Sequence, residues 1–232
     1  MSGRPLVDWA WIGEHLDDIA FRTAQHLWLA AIAVGAGFVI AFALSLIVIR
    51  VPRLYGPVTG VAGVLYTIPS LAMFAALVPL TGLSLLTAEI PLILYTLLIF
   101  IRNIVSGFES VPRDVLEAAD GMGFGRGRRL RSIELPLAVP LIVTGLRIAS
   151  VSTIGLVMIV SLIGDNYGGL GLFIKEGIQT FFATKVYVGA VLSLLLAFAA
   201  DAAFVLLQRA LTPWARARAA DNVGGAATGR AT

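Results

Sequence analysis

Cysteine is absent from the 232 residues, and lysine and histidine occur only twice each. Without thiols the chain has no disulfide framework and no thiolate nucleophile or ligand. The two histidines, His15 and His26, are too few for a metal site and are read as interfacial side chains. The scarcity of lysine excludes a phosphate loop, because Lys175 and Lys185 follow Ile174 and Thr184 rather than a glycine-rich turn. The run GMGFGRG, Gly121 to Gly127, resembles a nucleotide loop only superficially: it has no lysine, and position 126 is Arg where the dinucleotide pattern needs Gly. No nucleophile, base and orienting group can be assembled, so neither a catalytic site nor a cofactor is expected. Charge is scarce too, at 13% of residues, against about 25% in soluble proteins.

Apolar surface fills the space that charge leaves, with 58% of residues hydrophobic. Five spans, Leu27 to Ile49, Pro57 to Leu80, Ile90 to Phe108, Ala138 to Ile163 and Val186 to Leu207, each match the about 20 helical residues that cross a hydrocarbon core. The class is an all-α integral membrane protein. Ahead of the spans, Trp9 to Gln25 places Trp9, Ile12, Leu16 and Ile19 on one helical face and charges on the rest, which describes a helix lying along the bilayer interface. The acids there do not suit a cleavable signal. From Thr212 the tail is rich in Ala, Arg and Gly and reads as disordered. The organisation is therefore 1–26 interfacial, 27–207 transmembrane and 208–232 a tail.

Charge concentrates in the connection 109–135, with five Arg and five acids between Glu109 and Leu135. The sequence predicts a short helix over EAADGMG, an elbow at Gly123 where positive φ costs glycine little, and a second basic helix stopped before Pro136. Arg50, Arg53, Arg209, Arg216, Arg218 and Arg230 share its side of the membrane, making eleven basic residues, while Arg4, Arg22, Lys175 and Lys185 lie opposite. The positive-inside rule puts the 109–135 loop and the C-terminus in the cytoplasm and the N-terminus outside. Basic residues placed beside apolar spans point to a lipid bilayer and not to nucleic acid.

Three charges fall inside the spans as drawn: Arg102, Arg147 and Asp201. At about 1.5 Å per residue, Arg147 and Asp201 lie at similar depth. A contact tying the fourth span to the fifth is predicted, because an intramembrane charge needs a partner or water. In the second span, Pro69 removes a backbone hydrogen bond and predicts a kink or gap facing a cavity, with Tyr66 and Ser70 beside it as candidate pathway residues. Tyr66 and Tyr95 are read first as aromatic packing between helices. Between the last two spans, Ser161 to Lys185 combines a Gly-rich turn with a short amphipathic helix.

Glu117, Ala118 and Ala119, then Gly123, then Ile133, Glu134, Leu135 and Pro136, stand at the spacing of the EAA loop. On these residues the chain resembles the permease subunits of binding-protein-dependent ABC importers, and the phrase around Pro69 is most similar to the permeases for osmoprotectants such as glycine betaine, choline and carnitine. The resemblance implies the type I importer transmembrane fold. It also implies two cytoplasmic ABC ATPase subunits docked on coupling helices, a second permease subunit, identical or paralogous, and an extracytoplasmic substrate-binding protein. It makes Glu117, Ala118, Ala119, Gly123, Ile133, Leu135 and Pro136 the ATPase-coupling residues. A methionine-like amino-acid importer is the alternative within this architecture. An ion-coupled secondary carrier is the alternative outside it, disfavoured because five spans give no even halves and Asp201 stands as the sole intramembrane acid.

Overall fold

The computed structural model describes residues 6–212, and the regular structure of these residues is entirely helical. A short α1 (Trp9–Glu14) is capped by the Asp8 side chain, which accepts from the Trp11 N–H at 3.1 Å. α2 (Leu16–Arg50) follows after the single turn residue His15. The separate interfacial helix expected up to Gln25 is therefore only six residues long, and the rest of that stretch is the first turns of the first span. No Gly or Pro stands between Leu16 and Ala33, so nothing in the local backbone stops the helix there.

The second span is broken. α3 (Tyr55–Thr67) and α4 (Ser70–Thr81) meet at 92° across Ile68 and Pro69, whose extended ψ values turn the chain. α5 (Leu85–Glu109) starts at Ser84 with a capping box to Thr87 and is the most enclosed helix of the bundle. Then come α6 (Arg113–Gly121) and α7 (Arg126–Arg129). Leu130–Glu134 form a π turn that runs straight into α8 (Leu135–Val160). The stop expected before Pro136 does not occur: Pro136 is the second residue of α8, and the helical path runs on through it, with the π turn of Leu130–Glu134 shifting the hydrogen-bond register just where the proline N–H is missing. α9 (Gly171–Gln179) and α10 (Ala183–Leu211) complete the chain. Among the described residues four helices are long and apolar enough to cross a membrane, and the bent α3–α4 pair makes a fifth crossing if it is one span.

Lipid tails are as apolar as leucine, so close packing rather than water exclusion must hold such helices together. Glycines set the approach where α5 meets its neighbours. A Cβ at Gly145 of α8 would sit 2.8 Å from the Asn103 Cβ, and one at Gly107 would sit 3.0 Å from the Ala138 carbonyl oxygen. Around these contacts Phe100, Ile101, Ile104, Val105 and Ile142 form the core between α2, α5 and α8. α10 packs on α8 and α9 but buries only Thr184 and Gly189 fully, so most of its apolar surface faces outward.

Candidate functional site

Two places gather the residues singled out by the sequence: the elbow between α5 and α8, and a cleft where the second span breaks. At the elbow, α6 ends in a Schellman motif. The Phe124 N–H donates to the Ala119 carbonyl at 3.1 Å, the Gly123 N–H donates to that of Asp120 at 3.0 Å, and Gly123 takes φ +77. Arg129 then bridges both limbs. Its Nη1 donates to the Asp120 carboxylate at 2.7 Å and its Nε to Glu134 Oε1 at 2.8 Å. Arg128 lies over the Phe124 ring, 4.3 Å from its centroid.

Glu117, Ala118, Gly121, Met122 and Gly123 form an exposed face on this elbow. Ile133, Leu135 and Pro136 are half-buried at the base of α8. Ala119 does not belong to the exposed face. It is fully buried, because its position on α6 turns it toward its own chain. The charge of 109–135 is legible in the sequence, but not which of its five arginines faces two acids.

The second place lies beside the middle of α5. Tyr66, Thr67, Ile68, Pro69 and Ser70 from the broken span, Tyr95, Thr96 and Ile99 from α5, and Ser152, Thr153, Gly155 and Leu156 from α8 enclose a cleft of about 480 Å³. The expected gap at Pro69 thus faces a cavity. The Ile68 carbonyl, freed by the break, accepts from the Tyr95 hydroxyl, and the Tyr66 and Tyr95 rings meet edge-on with centroids 5.8 Å apart.

Arg147 and Asp201 lie together on neighbouring α8 and α10, with Arg147 Nε donating to Asp201 Oδ1 and Nη2 to Oδ2 at 2.9 Å. Arg102 is exposed on α5. Asp201 is not the only acid in a span: α5 begins five residues earlier than drawn and contains Glu89, buried and with neither carboxylate oxygen hydrogen-bonded. Nor is His26 interfacial. It is fully buried, with Nε2–H donating to the Ile154 carbonyl at 2.9 Å and Nδ1 accepting from the Leu170 N–H at 3.3 Å. No cluster of three metal-ligating side chains occurs among the described residues.

Residues 33–213 match the family model described as binding-protein-dependent transport system inner membrane component. The chain belongs to that family. It is the membrane permease component of an ABC importer, and the resemblance carried by the EAA-like spacing is upheld. The permease is 39% identical over 200 residues to the osmoprotectant import permease protein OsmW of Salmonella typhimurium, covering 84% of this chain and 92% of that one. It is 32% identical over 196 residues to the glycine betaine/carnitine/choline transport system permease protein OpuCB of Bacillus subtilis, covering 84% and 89%. Among solved structures it resembles an inward-facing conformation of the MetNI methionine ABC transporter, with a TM-score of 0.74 and 22% identity over 84% of this chain and 96% of that one. That likeness concerns the fold, and establishes the type I importer architecture for the permease.

Proposed function

We propose that the permease forms the translocation pathway for a quaternary-ammonium compatible solute such as glycine betaine, choline or carnitine, in an importer whose ATP is hydrolysed by separate cytoplasmic ABC ATPase subunits. The observation that carries the substrate class is the 39% identity, along most of both chains, to a permease named for osmoprotectant import. The methionine-importer reading has only the 22% structural likeness behind it.

In this reading Glu117, Ala118 and Gly123 present the elbow to a groove on the ATPase, with Ile133, Leu135 and Pro136 anchoring it to α8. Closure of two ATPases on bound ATP would move the elbow as a lever and tilt α5 and α8, which flank the cleft. A second permease subunit, identical or paralogous, completes the pathway, and an extracytoplasmic binding protein delivers the solute to the other face. The orientation has the elbow and C-terminus in the cytoplasm and the N-terminus outside. Its support is charge: Arg50, Arg126 and Arg129 line one pocket at the elbow end, and basic residues favour the cytoplasmic side. Residues 1–26 then lie on the outer side, 27–207 form the permease domain, and 208–232, mostly outside the described residues, are a cytoplasmic tail.

The test is uptake of labelled glycine betaine, choline and methionine into liposomes containing the reconstituted importer. Saturable, ATP-dependent uptake of a quaternary ammonium compound and none of methionine is expected. Uptake of methionine alone would overturn the substrate class, and uptake that persists with an inactive ATPase would overturn the energy source.

A further inference from the structure

On the α2 side of the elbow, Arg50 from the last turn of α2 and Arg126, Arg129 and Glu134 line a pocket of about 540 Å³, together with the apolar Leu46, Ile49 and Leu130. Two of its three guanidiniums are unengaged. Among the described residues Arg50 and Arg126 have neither a hydrogen-bond nor an ion-pair partner, and both are exposed. Arg129 is held by two carboxylates, Asp120 and Glu134, and that bridge carries one negative charge in excess. The two free arginines outweigh it, so the pocket keeps a positive charge.

Guanidiniums donate in parallel pairs to phosphate oxygens. A phosphodiester, with a single negative charge and two free oxygens, matches both the two arginines and the residual charge. Its source here is a lipid rather than a free phosphate. Arg50 closes a helix long and apolar enough to cross the bilayer, so the pocket lies where that helix gives way to water, at the depth of the headgroups. Toward the membrane interior from Arg50, Ile47, Ala43 and Ile40 follow at intervals of three and four residues, which is one face of a helix, and all three are exposed. That stripe offers acyl chains a surface leading to the pocket, which a soluble anion would not use. No residue of α6 lines the pocket, so the Glu117 and Ala118 face proposed for the ATPase lies elsewhere on the elbow.

We infer that this pocket binds the phosphodiester headgroup of an anionic phospholipid of the phosphatidylglycerol type, held between Arg50 and Arg126. Arg50 belongs to a span and Arg126 to the elbow, so the bound lipid ties the proposed lever to the membrane. The inference rests on the proposed orientation for its leaflet, the cytoplasmic one, and on nothing about the solute. The experiment is native mass spectrometry of the complete importer, offered phosphatidylglycerol and phosphatidylcholine of the same acyl chains in equal amounts. Retained lipids are counted for the wild type, Arg50→Gln, Arg126→Gln, Arg126→Lys and Arg53→Gln, and for the wild type incubated beforehand with glycerol phosphate.

The wild type is expected to retain phosphatidylglycerol in preference to phosphatidylcholine, and Arg50→Gln or Arg126→Gln to lower that preference about fivefold. Arg126→Lys, which keeps the charge, and Arg53→Gln, which lies outside the lining, leave it near the wild-type level. Equal retention of the two lipids by the wild type overturns the site, as does an unchanged preference in both Arg50→Gln and Arg126→Gln. A loss in Arg53→Gln as large as theirs would point to general surface charge, and one in Arg126→Lys as large as in Arg126→Gln to a misshapen elbow. Displacement by glycerol phosphate would point to a free anion, and each of these three results overturns the site too. A wild type without phosphatidylglycerol, whose Arg50→Gln and Arg126→Gln variants shed the ATPase, would give the arginines to that subunit instead. All of these outcomes leave the importer assignment and the solute standing. Labelling of Ser132→Cys from outside intact cells would overturn the orientation, and the leaflet with it.

Discussion

Arg147 and Asp201 close a two-pronged ion pair between α8 and α10, with Nε and Nη2 of the guanidinium donating to separate carboxylate oxygens. Their side chains are 41% and 33% exposed in the isolated chain, on the side where α10 covers α8. In a bilayer neither charge could be left alone cheaply, whereas together they have their hydrogen bonds and no net charge. Asp201→Asn keeps the shape and leaves Arg147 uncompensated, so a several-fold lower yield of membrane-inserted permease is expected. The double replacement Arg147→Met with Asp201→Leu removes both charges and should recover most of that yield. A double variant no better than Asp201→Asn would mean that the pair has a role beyond mutual neutralisation.

This contact was legible from the sequence because helical rise places two lone charges at one depth. Apolar length identified the spans for the same kind of reason. What stayed hidden were pairings with no local signal. The Asp165–Leu170 turn is held by α2, with Gln25 Nε2 donating to the Asn166 carbonyl at 2.7 Å and Arg22 Nη1 to that of Asp165 at 3.3 Å, across 141 and 143 residues of chain. Hydropathy could not show that His26 would be drawn into the core by two backbone partners. Nor could it show that Glu89 belongs to α5, because the capping box at Ser84 fixes the start of that helix and a hydropathy window does not see caps. At the candidate site, Pro69 announced the break and Gly123 the elbow, since each residue carries its conformational preference by itself. The choice of Arg129 as the clamp is a property of three-dimensional neighbours.

Gly123 sits at φ +77 with open space where a Cβ would point, so replacing it strains the backbone without a steric clash. A non-glycine residue in this conformation costs about 1–2 kcal/mol, least for Asn and most for a β-branched side chain. Co-purification of the permease with its ATPase is expected to fall in the order Gly, Asn, Ala, Val at position 123, with membrane insertion unaffected. Equal recovery of the ATPase across the series would separate the elbow from docking.

Arg129 holds α6 to the foot of α8 through two different carboxylates, Asp120 and Glu134. Lysine has one ammonium and cannot reproduce a guanidinium that donates from Nε and Nη1 in different directions. Both Arg129→Ala and Arg129→Lys should therefore loosen the elbow, by about 1 kcal/mol for partly exposed pairs, or roughly a fivefold change in the ordered population. Hydrogen exchange across 113–124 would report it as faster exchange in both variants. Protection in Arg129→Lys equal to the wild type would show that charge alone, without the fork, suffices.

His26 joins three segments at one point: its own α2, the Ile154 carbonyl on α8 and the Leu170 N–H at the start of α9. Gly169 passes so close, at φ +50, that a Cβ there would lie 2.9 Å from His26 Nδ1. Accepting from Leu170 through Nδ1 requires the Nε2–H tautomer, whose proton then goes to Ile154; one neutral ring satisfies both backbone groups. His26→Leu fills the space and satisfies neither, leaving a buried donor unpaired at a cost of about 1–3 kcal/mol. A lower unfolding temperature in detergent is expected for His26→Leu, with the loss concentrated in exchange protection around Leu170. The Ile154 carbonyl lies inside α8 and keeps its helical partner when the histidine is gone, so its loss of a second donor matters less than the loss of an acceptor for the Leu170 N–H. His26→Asn distinguishes the two contributions, because a shorter amide that reaches only one segment should recover protection at Leu170 only if that is the segment it reaches. Protection at Leu170 that is unchanged in His26→Leu would mean that Gly168 and Gly169, and not the histidine, hold the turn against α2.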